Sequence, residues 1–220
     1  MKWARANGCP WSEYTTAAAA SNGHLEILQW LRANGCPWDE STITDSAREG
    51  QFEILKWAHA NGAPWEAYSC AYAAQSGKLE ILQWLRDNGC PWNDDTCSYA
   101  AEAGHLHIVQ YARDNGCEWS EDTCKSAAYG GHLHILKWLH ENGCPWDEKT
   151  TDYAVLNESL EILQYARENG CPWNEEVCQD AVRRGNMKIL TWAHENGAPW
   201  NAETCAEVIT KISKKMLICP

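Results

Sequence analysis

Apolar residues recur along this chain with two periods at once. Over short stretches they follow a helix. In HLEILQWLRANG, Leu25, Ile27, Leu28 and Leu31 share one side, while Glu26, Gln29 and Ala33 face away. Over a longer range the whole pattern returns every 27 residues. Isoleucine recurs at Ile27, Ile54, Ile81, Ile108, Ile135, Ile162 and Ile189. An aromatic follows three residues later at Trp30, Trp57, Trp84, Tyr111, Trp138, Tyr165 and Trp192. A fixed period of this length is the signature of a repeat architecture. It divides the chain into a partial unit (1–23), seven full units (24–50, 51–77, 78–104, 105–131, 132–158, 159–185 and 186–212) and the start of a truncated one (213–220).

Each unit predicts two helices joined by a corner. The corner is spelled NGCPW at Asn34–Trp38, and its frame recurs at Asn7, Asn61, Asn88, Asn115, Asn142, Asn169 and Asn196. Asn-Gly ends the first helix, because glycine takes the left-handed conformation of a C-terminal cap at little steric cost. Proline fixes the exit direction, and Trp is expected to pack between adjacent units. Asp39, Asn93, Ser120, Asp147, Asn174 and Asn201 then suit the N-cap of a second helix. The buried side of that helix is small, as in Cys97, Ala100 and Ala101. Glycine closes it at Gly50, Gly77, Gly104, Gly131 and Gly185; Glu158 occupies the fifth such place, where a less regular turn is expected. A lone helix pair cannot cover its own apolar face, so the units must stack.

Composition narrows what the stack can do. Thirty acidic against eighteen basic residues give a formal net charge of −12, which disfavours nucleic acid and anionic lipid as partners. No apolar run approaches the roughly 20 residues needed to cross a bilayer, and the MKWARANGCPW start lacks a secretory apolar region. Eleven of the twelve cysteines fall at two repeat positions: six fill the corner place that Ala63 and Ala198 fill elsewhere. Cys70, Cys97, Cys124, Cys178 and Cys205 share a second place with Thr and Ile. Residues that exchange singly with Ala, Thr or Ile act as small apolar filler, which predicts a reducing, intracellular setting without disulfides.

The segment AAEAGHLHIVQYARDNG (100–116) resembles the ankyrin-repeat pattern A-A-x-x-G-H-L-E-V-V-x-L-L-L-x-x-G. Gly35–Asp39 is similar to that family's G-A-D-V-N corner, and Asp95–Ser98 weakly matches its T-P-L-H. The resemblance covers essentially the whole chain. It departs in length, 27 residues against 33, and the missing segment is where the family carries its β-hairpin finger. The resemblance implies an all-α, right-handed-type α-solenoid of stacked helix-turn-helix repeats, a short finger-less variant. It also implies protein or peptide binding on the concave side, lined by the second helices.

A framework position is the same in every unit, whereas a binding position should differ. At 100° per residue, the second-helix face opposite the small residues carries Asp95, Ser98, Tyr99 and Glu102 in one unit and their varied counterparts elsewhere. Six of the eight tyrosines lie there. Tyrosine offers area and a polar tip at low entropic cost. The candidate partner-binding set is therefore Tyr68, Tyr72, Tyr99, Tyr129 and Tyr153, with Asp95, Glu102, Asp122 and Asp152 around them, which fits a basic partner. The unstacked ends, with Trp3 and Trp11 at one and Met216, Leu217 and Ile218 at the other, could self-associate.

Catalytic and metal chemistry fit less well. No C-x-x-C, G-x-S-x-G, P-loop or H-E-x-x-H is present. His105/His107 and His132/His134 are two apart at a helix start, so they point to different sides. His59, His140 and His194 share a place with Arg32, Arg86, Arg113 and Arg167, which suits a solvated cation or a packed stem better than a metal ligand. No enzyme, cofactor or metal is expected. The alternatives to a binding scaffold are a metal-binding or redox-sensing Cys/His-rich repeat protein and a purely structural spacer.

Overall fold

The computed structural model describes the backbone of residues 2–218 and the side chains of residue 3 and of 5–210. The side chains of Met216, Leu217 and Ile218, expected at an apolar end, lie outside the described residues. All the described regular structure is helical, and the chain forms two compact units, Met1–Trp119 and Ser120–Pro220.

In the first unit the helices are α1 (Lys2–Ala6), α2 (Glu13–Ser21), α3 (Leu25–Ala33), α4 (Ser41–Glu49), α5 (Phe52–Ala60), α6 (Ala67–Gln75), α7 (Leu79–Asp87), α8 (Asp94–Glu102) and α9 (Leu106–Asp114). In the second they are α10 (Glu121–Tyr129), α11 (Leu133–Glu141), α12 (Glu148–Leu156), α13 (Leu160–Glu168), α14 (Glu176–Arg184), α15 (Met187–Glu195) and α16 (Ala202–Ile218). Odd-numbered helices are the first, and even-numbered the second, of each pair. The second helices pack closely in chain order: α2, α4, α6 and α8 in one unit, and α10, α12, α14 and α16 in the other. Small side chains permit this approach; Ala73, Ala74, Ala100 and Ala101 are fully buried in the first unit, as are Ala127, Ala128 and Ala181 in the second. The first helices carry the bulk of the core, with Leu28, Leu55, Leu82, Leu85, Leu136, Leu139 and Leu163 excluded from solvent.

The corner explains its own spelling. Gly35 has φ 79° and Gly89 φ 85°, a region where an L side chain is strained. The preceding Asn closes the helix with its side chain as well: Asn34 Nδ2 donates to the Trp30 carbonyl at 2.8 Å, and Asn88, Asn115 and Asn169 do the same to Trp84, Tyr111 and Tyr165. Each of these last-turn carbonyls also accepts the Asn backbone N–H at 3.1 Å, so the Asn caps the helix end twice. The corner thiol reaches back to the previous pair. Cys90 Sγ donates to the Glu66 carbonyl at 3.4 Å, Cys117 to Asn93 at 3.1 Å and Cys171 to Asp147 at 3.2 Å.

The corner Trp packs between neighbouring pairs as expected, but half-buried rather than engulfed. Trp38 meets Trp57 edge-on at 6.0 Å between ring centroids, Trp92 meets Tyr111 at 6.4 Å and Trp173 meets Trp192 at 6.1 Å. A planar side chain covers each of these indoles. Arg32 lies 3.9 Å over Trp38, Arg86 4.1 Å over Trp92 and Arg167 4.1 Å over Trp173, while His59 and His140 stack 3.9 Å from Trp65 and Trp146. The same guanidiniums donate to corner carbonyls, Arg32 to Cys36 and Arg167 to Cys171, each at 2.5 Å. Of the two expected readings, the Arg/His place is the packed one, a lid on the Trp, and not the solvated cation. Where the lid is arginine, cation–π attraction contributes roughly 0.5–2 kcal/mol per pair.

The turn at Glu158 corrects one expectation. It is as regular as its glycine counterparts: Glu158 takes φ 60°, and Ser159 N donates to the Ala154 carbonyl at 2.9 Å, as His105 N does to Ala100. The fold imposes the left-handed turn, and a residue with a Cβ accommodates it at a conformational cost.

Candidate functional site

Five of the six second-helix tyrosines gather on the outer side of those helices, in one group per unit; the sixth, Tyr14 on α2, is 84% exposed. In the first unit Tyr68 (44% exposed) and the half-buried Tyr72 and Tyr99 form a line across α6 and α8, with ring centroids 6.4 Å apart for Tyr68/Tyr72 and 5.6 Å for Tyr72/Tyr99. Residues one turn apart on α6 hold the first two, and the close α6–α8 packing brings the third against them. Burial, with Tyr72 next in effect, raises the Tyr99 phenol above its ordinary pKa, so it stays neutral and able to donate. Asp95 accepts from Asn93 at 2.8 Å, and Glu102 is half-buried at the end of α8. In the second unit Tyr129 (49% exposed) meets Tyr153 nearly edge-on at 5.4 Å, and the exposed Asp122 pairs with Lys125 on the same helix.

A groove of about 400 Å³ opens beside the first group. It is lined by Glu40, Ser41, Thr44, Asp45 and Arg48 from the α4 segment, Glu66, Tyr68 and Tyr72 from α6, and Tyr99 from α8. Three carboxylates and one guanidinium stand among the rings. The outer-face register that carries the tyrosines also carries Ser41, Thr44, Asp45 and Arg48, though the candidate set did not include them; Glu40 and Glu66 lie outside that register and join the groove through helix packing.

One part of the predicted face is not open. Ser98 is 5% exposed and Asp152 6%, and Ala71 is fully buried at the same register. These residues lie in the seam between adjacent second helices; Thr44 Oγ1 sits 3.1 Å from Ser69 Oγ across it. Small neighbouring side chains draw the helices so close that a residue 100° from the tyrosine is covered. Asp152 therefore does not ring the tyrosines with exposed charge. Its Oδ1 is buried without a hydrogen-bond partner, and burial, reinforced by Glu176 and Asp180, raises its pKa to about 7.

The cysteines assemble a second pattern. Cys70 and Cys90, Cys97 and Cys117, and Cys124 and Cys144 are hydrogen-bonded through their thiols, each pair joining a second helix to the corner of the next pair. All the described cysteines are free thiols, and only Cys9 and Cys205 among them are exposed. The thiol bond and burial push Cys70 and Cys124 well up, and burial pushes Cys171 up to about 12, so these thiols are poor nucleophiles. Among the described residues no three His, Cys, Asp or Glu are grouped to hold a metal ion. The His105 ring instead packs on Gly77, where a Cβ would come within 2.9 Å of it.

A family model described as ankyrin repeats (many copies) matches residues 124–167, the stretch from α10 through α13. Residues 124–167 thus match the ankyrin repeat family, and the chain as a whole has an all-helical repeat fold of the ankyrin type. Its repeat is built without the finger: a Pro-Trp corner leads directly into the second helix, as at Pro91–Trp92 before α8. The crystal structure of the human ASB11 ankyrin repeat domain has a similar fold, with TM-score 0.55 and 18% identity over 71% of this chain and 84% of that one. No curated protein sequence matches the chain. Proteins of this family generally mediate protein–protein interaction and are generally not enzymes. No described helix is long and apolar enough to cross a membrane.

Proposed function

We propose that this chain is a non-enzymatic scaffold that binds a protein or peptide along the outer face of its second helices. The observation that carries the reading is a division of labour along the repeat. The corner Asn, Gly and Trp, the Arg/His lid and the core Ile recur in pair after pair, and each has a packing or capping role. The outer second-helix positions change from pair to pair and carry the tyrosines, in both units. Tyr68 and Tyr129 present area that no intramolecular contact requires to be solvent-facing. The buried free thiols suit a reducing, intracellular setting.

Tyr72, Tyr99 and Tyr153 are half-buried, so truncating them changes stability as well as surface. The discriminating variant is Tyr68→Ala with Tyr129→Ala. Affinity capture with the full chain, read by quantitative mass spectrometry, should lose its specific partner in this variant while the thermal midpoint stays within about 1–2 °C of wild type. An unchanged partner profile refutes the reading.

A further inference from the structure

We propose that the groove between α4, α6 and α8 is a seat for one arginine side chain of a bound peptide. The inference rests on the protein-binding reading of this face and assigns the chemistry of one of its subsites. Three features of the groove favour a cation. Its rings, Tyr68, Tyr72 and Tyr99, adjoin one another at 5.6–6.4 Å and offer π-faces and edges in one place. Its carboxylates outnumber its cations: Glu40, Asp45 and Glu66 stand against Arg48 alone, which leaves two negative charges. Arg48 is already engaged, with Asp45 at 2.9 Å and with Glu49 at 3.1 Å, whereas Glu40 and Glu66 form no ion pair among the described residues. The net charge of −12 adds long-range attraction for a basic chain.

The groove also indicates which cation. Arg48 itself lies 5.5 Å from the Tyr72 ring centroid, so one side of that ring is already read by a guanidinium. A guanidinium can lie on a ring while donating in its own plane to a carboxylate or carbonyl; an ammonium offers no such plane. This chain uses the same combination at its corners, where Arg32 and Arg167 cover a Trp and donate to a carbonyl. Glu66, exposed at the start of α6 next to Tyr68, is placed to accept from the incoming side chain, and the neutral Tyr99 phenol closes the far wall.

The test uses the isotope-labelled full chain and three small probes: N-acetyl-arginine methylamide and its lysine and glutamine counterparts. Backbone amide shifts are followed by NMR during titration. Arginine should give saturable shifts confined to α4, α6 and α8. Lysine should bind several-fold more weakly, and glutamine should shift nothing. Glu66→Gln combined with Tyr68→Leu, both at exposed positions, should weaken arginine by about tenfold without moving the unfolding midpoint. The inference fails if arginine shifts do not saturate, if they spread evenly over the acidic surface, if lysine binds as tightly, or if the double variant binds arginine as wild type does. Its failure is separable from failure of the scaffold reading. Partner capture that depends on Tyr68 and Tyr129 while arginine finds no seat overturns the subsite alone. Arginine seated in the groove of a chain whose capture ignores both tyrosines overturns the scaffold reading alone.

Discussion

Asp152 supplies the sharpest energetic prediction. The carboxyl is 6% exposed, its Oδ1 has no hydrogen-bond partner, and burial with nearby Glu176 and Asp180 raises its pKa from an ordinary 3.8 to about 7. A raised carboxyl pKa means that the folded chain holds a proton which the unfolded chain has already released. Stability is therefore unpenalised below the unfolded pKa, falls as pH rises towards the folded pKa, and levels off above it. The slope in that window is about 1.4 kcal/mol per pH unit. From pH 5.5 to pH 8.5 the penalty grows by about 2 kcal/mol, and over the whole interval it approaches about 4 kcal/mol as an upper bound. Asp152→Asn keeps the shape and removes the charge. Urea unfolding of both proteins at a series of pH values isolates the contribution as a difference of differences. The variant should gain on wild type as pH rises, with the gap in midpoint widening by roughly 0.7–1 M urea across that range. Parallel pH profiles for the two proteins would show that Asp152 is ionised in the folded state and refute the buried-carboxyl reasoning.

Three further outcomes follow from the framework. Glu158→Gly relieves the φ of 60° and sacrifices only a 3.8 Å exposed contact with Arg184, so it should stabilise the chain by about 1 kcal/mol in thermal or urea unfolding. Arg86→Ala removes both the cover over Trp92 and the bond to the Cys90 carbonyl, and should cost about 1–2 kcal/mol; Arg86→His should cost less, because His59 and His140 stack on their Trp in the same place. Under native conditions a thiol reagent should label Cys9 and Cys205 rapidly and leave Cys36, Cys70, Cys90, Cys97, Cys117, Cys124, Cys144, Cys171 and Cys178 unmodified until denaturant is added, as peptide mapping can read.

Much of the fold is legible in the sequence because one physical solution is repeated. The helix spacing of Leu25, Ile27, Leu28 and Leu31, the Asn-Gly stop and the small residues of the second helix each declare their role through periodicity alone. What periodicity hides is contact between elements. The seam that buries Ser98 and Asp152 depends on how closely two second helices approach, and a 100° wheel drawn for one helix does not contain that distance. The regular turn at Glu158 shows the stack overriding local preference. The lid on each Trp left a sequence signal that was readable: Arg or His stands six residues before every corner Trp, and planarity is what those two side chains share. The α4 wall of the arginine groove is partly legible, since Ser41, Thr44, Asp45 and Arg48 share the outer-face register, but Glu40 and Glu66 look like ordinary solvated charges until α4 and α6 are placed side by side.

The account divides this molecule into a repeated framework that holds and a varied second-helix face that binds. Hydrogen exchange of the full chain, free and with its captured partner, tests that division directly. Added protection should appear in second helices, centred on α6 and α8 in the first unit or on α10 and α12 in the second, with the first helices α5, α7 and α11 unchanged. Protection confined to the first helices or to the Trp corners would contradict it.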